Sequence, residues 1–125
     1  MKKIIQTKMA PAPIGPYSQA VEVNGTLYVS GQIAIDPATG NLVLLNIFHE
    51  TTRVMENISA ILNEAGYEFS NIVKTSIFLS DMNNFSNVND VYANYFKDNF
   101  PARETVQVSV LPKNVNVEIS VIAVK

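Results

Sequence analysis

The chain has 125 residues, 47% of them hydrophobic, with 9 Lys and Arg against 11 Asp and Glu; this fits one compact domain over residues 1–125 with enough apolar content for a core. The absence of cysteine excludes disulfides, thiolate catalysis and cysteine-held zinc, and the lone His49 excludes a two-histidine metal site. The net charge of −2, with lysines dispersed except for Lys2, Lys3 and Lys8, argues against a nucleic-acid surface, which needs clustered positive charge.

Lys3 to Gln6 reads as a short strand. Ala10-Pro11-Ala12-Pro13-Ile14-Gly15-Pro16-Tyr17-Ser18-Gln19 follows as an extended, stiff loop. Ala20–Val23 and Thr26–Ser30 form a hairpin around Asn24-Gly25, the pair favoured where both turn residues take positive φ. Asp36-Pro37-Ala38-Thr39-Gly40 is a second turn. The first helix starts near Asn46; Val54, Met55, Ile58, Ile61, Leu62 and Ala65 recur at helical spacing, and Gly66 stops it. Ile72–Leu79 is a strand. Ser86 is placed to cap a second helix with the stripe Val88, Val91, Tyr92, Tyr95 and Phe96. Two strands close the chain, Glu104–Val110 and Asn116–Val124, joined by a turn at Leu111–Asn114. No stretch is long enough to span a membrane, and the apolar run at the start is too short for a signal peptide. A cytoplasmic protein is expected, and the sequons at Asn24, Asn57 and Asn84 then read as chance matches.

This order predicts an α+β fold in which both helices pack on one face of a mixed sheet of about six strands. The last strand carries apolar residues on both faces, Val117, Ile119, Val121 and Ala123 on one, Ile122 and Val124 on the other. The face without helices then needs cover, which implies a homo-oligomer buried through its sheet, with sites at the subunit boundary.

Arg103, one of two arginines, stands between Pro101 and the strand that begins at Glu104, and is read as held on a short stiff turn at the mouth of the sheet. A guanidinium fixed there matches a carboxylate or phosphate bidentately, although a surface arginine paired with a nearby acid is the commoner case. Tyr17 also fits a staple for its loop, Ser30 a bond at a strand end, and Asn89, read in the first turn of the second helix, a contact to backbone amides. His49 reads as a first-turn surface residue.

Ile14-Gly15-Pro16-Tyr17-Ser18-Gln19-Ala20, Ser30-Gly31-Gln32-Ile33, Asn89, and Pro101-Ala102-Arg103 followed by Leu111-Pro112-Lys113 resemble the RidA (YjgF/YER057c/UK114) family, in matching order across essentially the whole chain. The resemblance implies a chorismate-mutase-like fold and a trimer whose three sheets form a central β-barrel with the helices outside. It implies an enamine/imine deaminase that hydrolyses 2-aminoacrylate and related 2-imino acids to 2-keto acids and ammonia, with no cofactor and no metal. A non-catalytic sensor of 2-keto or 2-imino acids is the second reading. The third is cleavage of single-stranded RNA, from the older family label endoribonuclease L-PSP.

By the same resemblance Arg103 clamps the substrate carboxylate and Thr105 holds the ligand through its backbone, in the place of a cysteine found in many members. Gly31 leaves room for close approach, Tyr17 reaches over the ligand, and Ser30 and Asn89 add polar contacts. Ser120 is expected where the deaminases commonly carry a glutamate that positions or activates water. A serine is a poor base, and Glu118 points the same way but lies about 6–7 Å along the strand. Leu44–Glu50 also departs from the family's usual small-polar pattern.

Overall fold

The computed structural model describes residues 1–125. In chain order it has β1 (Lys3–Ile5), β2 (Ala20–Val23), β3 (Thr26–Gln32), α1 (Ile47–Ala65), β4 (Ile72–Leu79), α2 (Phe85–Ala93), β5 (Ala102–Gln107) and β6 (Val117–Val124). The strands form one mixed sheet in the order β1-β2-β3-β6-β4-β5. Only the β4–β5 pair is parallel, as expected for two strands joined through a helix crossover.

Local chemistry explains the best-defined boundaries. Asn24 and Gly25 both take positive φ, 50° and 79°, so the β2–β3 hairpin turns as the Asn-Gly pair predicts. The Asn46 side chain accepts the His49 N–H and starts α1; Gly66, at φ 79°, ends it in the left-handed conformation. Along α1, Val54, Met55, Ile58, Ile61 and Leu62 are buried against Leu27, Val29, Ile77, Ile119 and Val121 of the sheet. Each such side chain contributes on the order of 1.5–3 kcal/mol when fully buried. Tyr92 of α2 donates to Thr75 of β4, 2.9 Å, and belongs to the same core, so both helices cover one face.

The opposite face carries Tyr28, Phe78, Glu118, Ser120, Ile122 and Val106, as the cross-strand pairs Tyr28–Ile122, Phe78–Glu118, Ser76–Ser120 and Phe78–Val106 require. Tyr28 and Val106 are 48% and 41% exposed, which leaves large apolar side chains on a face that no helix covers.

Three expectations are corrected. Ser86 does not cap α2: a 3₁₀ turn at Met82–Asn84 leads into the helix, and the Asp81 carboxylate accepts from Asn83 N–H at its start. Asn89 therefore lies mid-helix rather than in the first turn, and Tyr95 and Phe96 fall beyond the helix end. The strand expected from Glu104 begins at Ala102, so Arg103 is a strand residue paired with Thr75, not part of a turn. A parallel partner in β4 extends the ladder back to the residue after Pro101, and the strand ends early because its last residues no longer have that partner. The sequon at Asn57 is fully buried, its amide donating to the carbonyls of Ile33 and Ile35.

Candidate functional site

The proline loop is tied to the sheet by one buried side chain. Gln19 accepts from Thr7 N–H at 2.7 Å and donates to the carbonyls of Thr7, Ala10 and Pro11 at 3.0, 3.2 and 2.9 Å. This satisfies backbone groups that a loop without its own secondary structure would otherwise leave unpaired. The loop then delivers Tyr17, whose phenol oxygen accepts the Ile14 N–H at 3.2 Å and whose O–H remains free to donate. Ser30 holds the far side: its N–H donates to Gln19 carbonyl and its hydroxyl to Ser18 carbonyl at 2.6 Å. The Ser30 proton is therefore committed to the scaffold.

Between Val29 and Gln32 the β3–β6 ladder shifts register, and Gly31 falls in that irregularity. A Cβ built on Gly31 would lie 2.7 Å from both Cδ and Oε2 of Glu118. Only glycine lets the carboxylate occupy this place. Tyr17, Ser30, Gly31, Glu118, Ile14 and Pro112 line one concavity here. Burial raises the Glu118 carboxyl above its ordinary pKa, since desolvation disfavours the charged form. Ser120 does not line this concavity; it is two residues further along β6, opposite Ser76. The structure thus brings Tyr17, Ser30 and Gly31 together with Glu118, where sequence reasoning placed Ser120.

The start of β6 is fixed from the helix layer. Glu50, fully buried in the first turn of α1, accepts from Asn116 N–H and Asn116 Nδ2, both at 2.7 Å, and from Val117 N–H at 3.2 Å. Glu118 follows directly on this anchored pair.

Arg103, Thr105 and Asn89 lie elsewhere. β5 is the third strand from β3 in the sheet order, about 14 Å away at ordinary strand spacing. Arg103 and Thr105 share the helix-covered face with Thr75 and Ile77, whereas Glu118 is on the opposite face. One copy of the chain therefore does not unite Arg103 with Tyr17 and Glu118. The Arg103 guanidinium lies 5.1 Å from the Tyr92 ring centroid and 5.8 Å from that of Phe85. Asn89 falls between these rings on the α2 stripe at positions 85, 89 and 92. Arg103 has no acidic partner: the neighbouring Glu104 faces away, bonded by the Ser76 hydroxyl and by Lys74 at 2.9 Å, which hold its carboxyl below the ordinary range. Thr105 Oγ1, two residues on, is buried without a hydrogen-bond partner.

His49 is exposed, its ring nitrogen 2.9 Å from Asn46 Oδ1, at the cap of α1. No three His, Asp or Glu residues are grouped as metal ligands, and no helix is long and apolar enough to cross a membrane.

Comparison with known proteins shows the family. A family model described as Endoribonuclease L-PSP matches residues 7–125. The chain is 52% identical over 125 residues to a bovine (Bos taurus) protein named 2-iminobutanoate/2-iminopropanoate deaminase, covering 100% of this chain and 91% of the relative. It is 50% identical to a RutC family protein of Pyrococcus horikoshii, covering 100% and 99%. Among solved structures, a Rid family protein of Yersinia pestis superposes with a TM-score of 0.97 at 56% identity over 100% of both chains. E. coli TdcF with bound serine gives 0.94 at 39% identity over 98% of each. With a family model matched over residues 7–125, a relative 52% identical along the whole chain, and the same fold, the chain belongs to the RidA (YjgF) family.

Proposed function

We propose that this protein is an enamine/imine deaminase that hydrolyses 2-aminoacrylate and related 2-imino acids to 2-keto acids and ammonia. The observation that carries this reading is the Glu118 carboxyl, poised by burial beside Gly31 and the Tyr17 phenol. A carboxyl whose pKa burial raises above its ordinary value is a stronger base when ionised, and can take a proton from water and return it. The deaminase names of the bovine and human relatives, 52% and 46% identical over 125 residues, support the same chemistry.

In this reading Arg103 binds the substrate carboxylate through its planar fork and so orients the adjacent C=N carbon. The serine bound in the TdcF neighbour carries the same carboxylate group. Asn89 and the Thr105 backbone complete that half. Glu118 removes a proton from water as its oxygen bonds to the iminium carbon, giving a carbinolamine. The carboxyl then protonates the nitrogen, the C–N bond breaks, and the hydroxyl proton leaves as the carbonyl forms. The products are a 2-keto acid and ammonium. The Tyr17 O–H donates to the developing oxygen, its own lone pair being occupied by Ile14 N–H.

Because Arg103 and Glu118 lie on opposite faces and two strands apart, with β4 between them, the reading requires that two copies of the chain meet, one giving each half. The partly exposed face of Tyr28, Ile122 and Val106 supplies an apolar surface for a homotrimer closed around a barrel. Binding without turnover is not favoured, because an acid–base group is present. RNA cleavage lacks a basic surface. The test is release of keto acid and ammonia from 2-imino acids generated in situ, run beside a single-stranded RNA. Deaminase turnover without RNA cleavage is expected; cleavage of RNA with no keto acid formed would overturn the reading.

A further inference from the structure

We infer that Phe85 and Tyr92 are positioning residues that hold the Arg103 guanidinium ready for a carboxylate without occupying its hydrogen-bonding edge. The inference deepens the proposed function and rests on its assignment of Arg103 to the substrate carboxylate. An arginine on a strand is normally steadied by an acid, yet an acid at Arg103 would compete with the substrate for the same fork. Here Glu104 is engaged by Lys74 and Ser76, and no side chain bonds the guanidinium. Instead the group lies within reach of two ring faces, 5.1 Å from Tyr92 and 5.8 Å from Phe85, where the ring quadrupoles attract its charge. Aromatic faces contact the guanidinium plane and leave the in-plane N–H groups free.

Tyr92 cannot swing away. Its hydroxyl donates to Thr75 Oγ1 at 2.9 Å, and Thr75 is the cross-strand partner of Arg103. The ring beneath the guanidinium is therefore fixed to the strand next to the one that carries it. Phe85 closes the arrangement two turns earlier on the same helix stripe, with Asn89 at the position between them.

Phe85 is 36% exposed, so replacing it leaves the core intact and makes it the useful test position. Phe85→Leu removes the ring and Phe85→Tyr keeps it. Pyruvate is the probe, read by calorimetry, together with the side-chain N–H resonances of the two arginines, Arg53 and Arg103, whose few signals are assigned with Arg103→Lys. Phe85→Leu is expected to weaken pyruvate binding about 2- to 30-fold, the range of one cation–π contact, and to shift the Arg103 resonance while that of Arg53 stays. Phe85→Tyr should restore both. Unchanged pyruvate affinity in Phe85→Leu, an unmoved Arg103 resonance, or a Phe85→Tyr variant as weak as Phe85→Leu would overturn the inference. A wild-type protein that binds pyruvate but hydrolyses no imine would overturn the deaminase reading alone. One that binds no pyruvate would overturn the carboxylate assignment and this inference with it.

Discussion

The Arg103 half and the Glu118 half of the candidate site are built by opposite means. Arg103 is held by what surrounds it, the rings of Phe85 and Tyr92, the second pinned through Thr75. Glu118 is held by what is missing beside it, the Cβ that Gly31 lacks, and by a strand whose first residues are anchored on Glu50. The cation keeps its donors free in a packed setting, while the carboxyl is left half-buried and shifted toward protonation. A clamp for a permanent charge calls for rigidity. A group that must both accept and return a proton calls for partial desolvation.

The two halves should fail differently when broken. Glu118→Gln is expected to lower kcat by about 10²–10⁴-fold, the usual worth of general acid–base assistance, while pyruvate still binds. Equal turnover of the variant and the wild type in a stopped assay would remove Glu118 from the chemistry. Arg103→Ala should instead abolish pyruvate binding in calorimetry; removing one partner of a buried charged pair costs on the order of 2–5 kcal/mol. Gly31→Ala forces the new Cβ against Glu118 and should act on the carboxyl half only, with turnover reduced and pyruvate affinity kept.

A smaller effect separates the halves by pH. The folded pKa of Glu118 is raised above its ordinary value of 4.5, so it favours the folded state most below that value, and that contribution is lost as pH rises through the folded value. Glu118→Gln should therefore raise Tm relative to wild type at neutral pH and lose that advantage at pH 3, in melting curves taken at both values. A variant less stable than wild type at pH 7 would contradict the burial argument. The smallest change is expected of Ser120→Ala, within about twofold in turnover, as for a side chain outside the concavity.

The sequence carried one half of this site more openly than the other. A single arginine after Pro101-Ala102 stands out in a chain with two arginines, and hairpin and helix boundaries follow from Asn24-Gly25, Asn46 and Gly66 because those signals are local. Strand alternation also put Glu118 and Ser120 on one face. What it could not provide was which of them meets Gly31, since that depends on the register of β6 against a break in β3. The sole charged side chain within Val117–Val124 was the available signal. Gln19 and Glu50 were illegible for another reason: polar residues in a loop and a first helical turn read as solvated, and only tertiary contact shows them buried with their hydrogen bonds filled. Ser86 and the start of β5 were misplaced because a 3₁₀ turn and a parallel partner strand extended elements beyond their local signals.

The central claim is that Arg103 of one copy works with Glu118 of another. Refolding Arg103→Ala and Glu118→Gln chains together in equal amounts tests it directly, each being inactive alone. Random head-to-tail assembly places an intact Arg103 half against an intact Glu118 half in about one site in four, so the mixture should recover about a quarter of wild-type turnover. A mixture no more active than the two variants assayed separately would contradict the account.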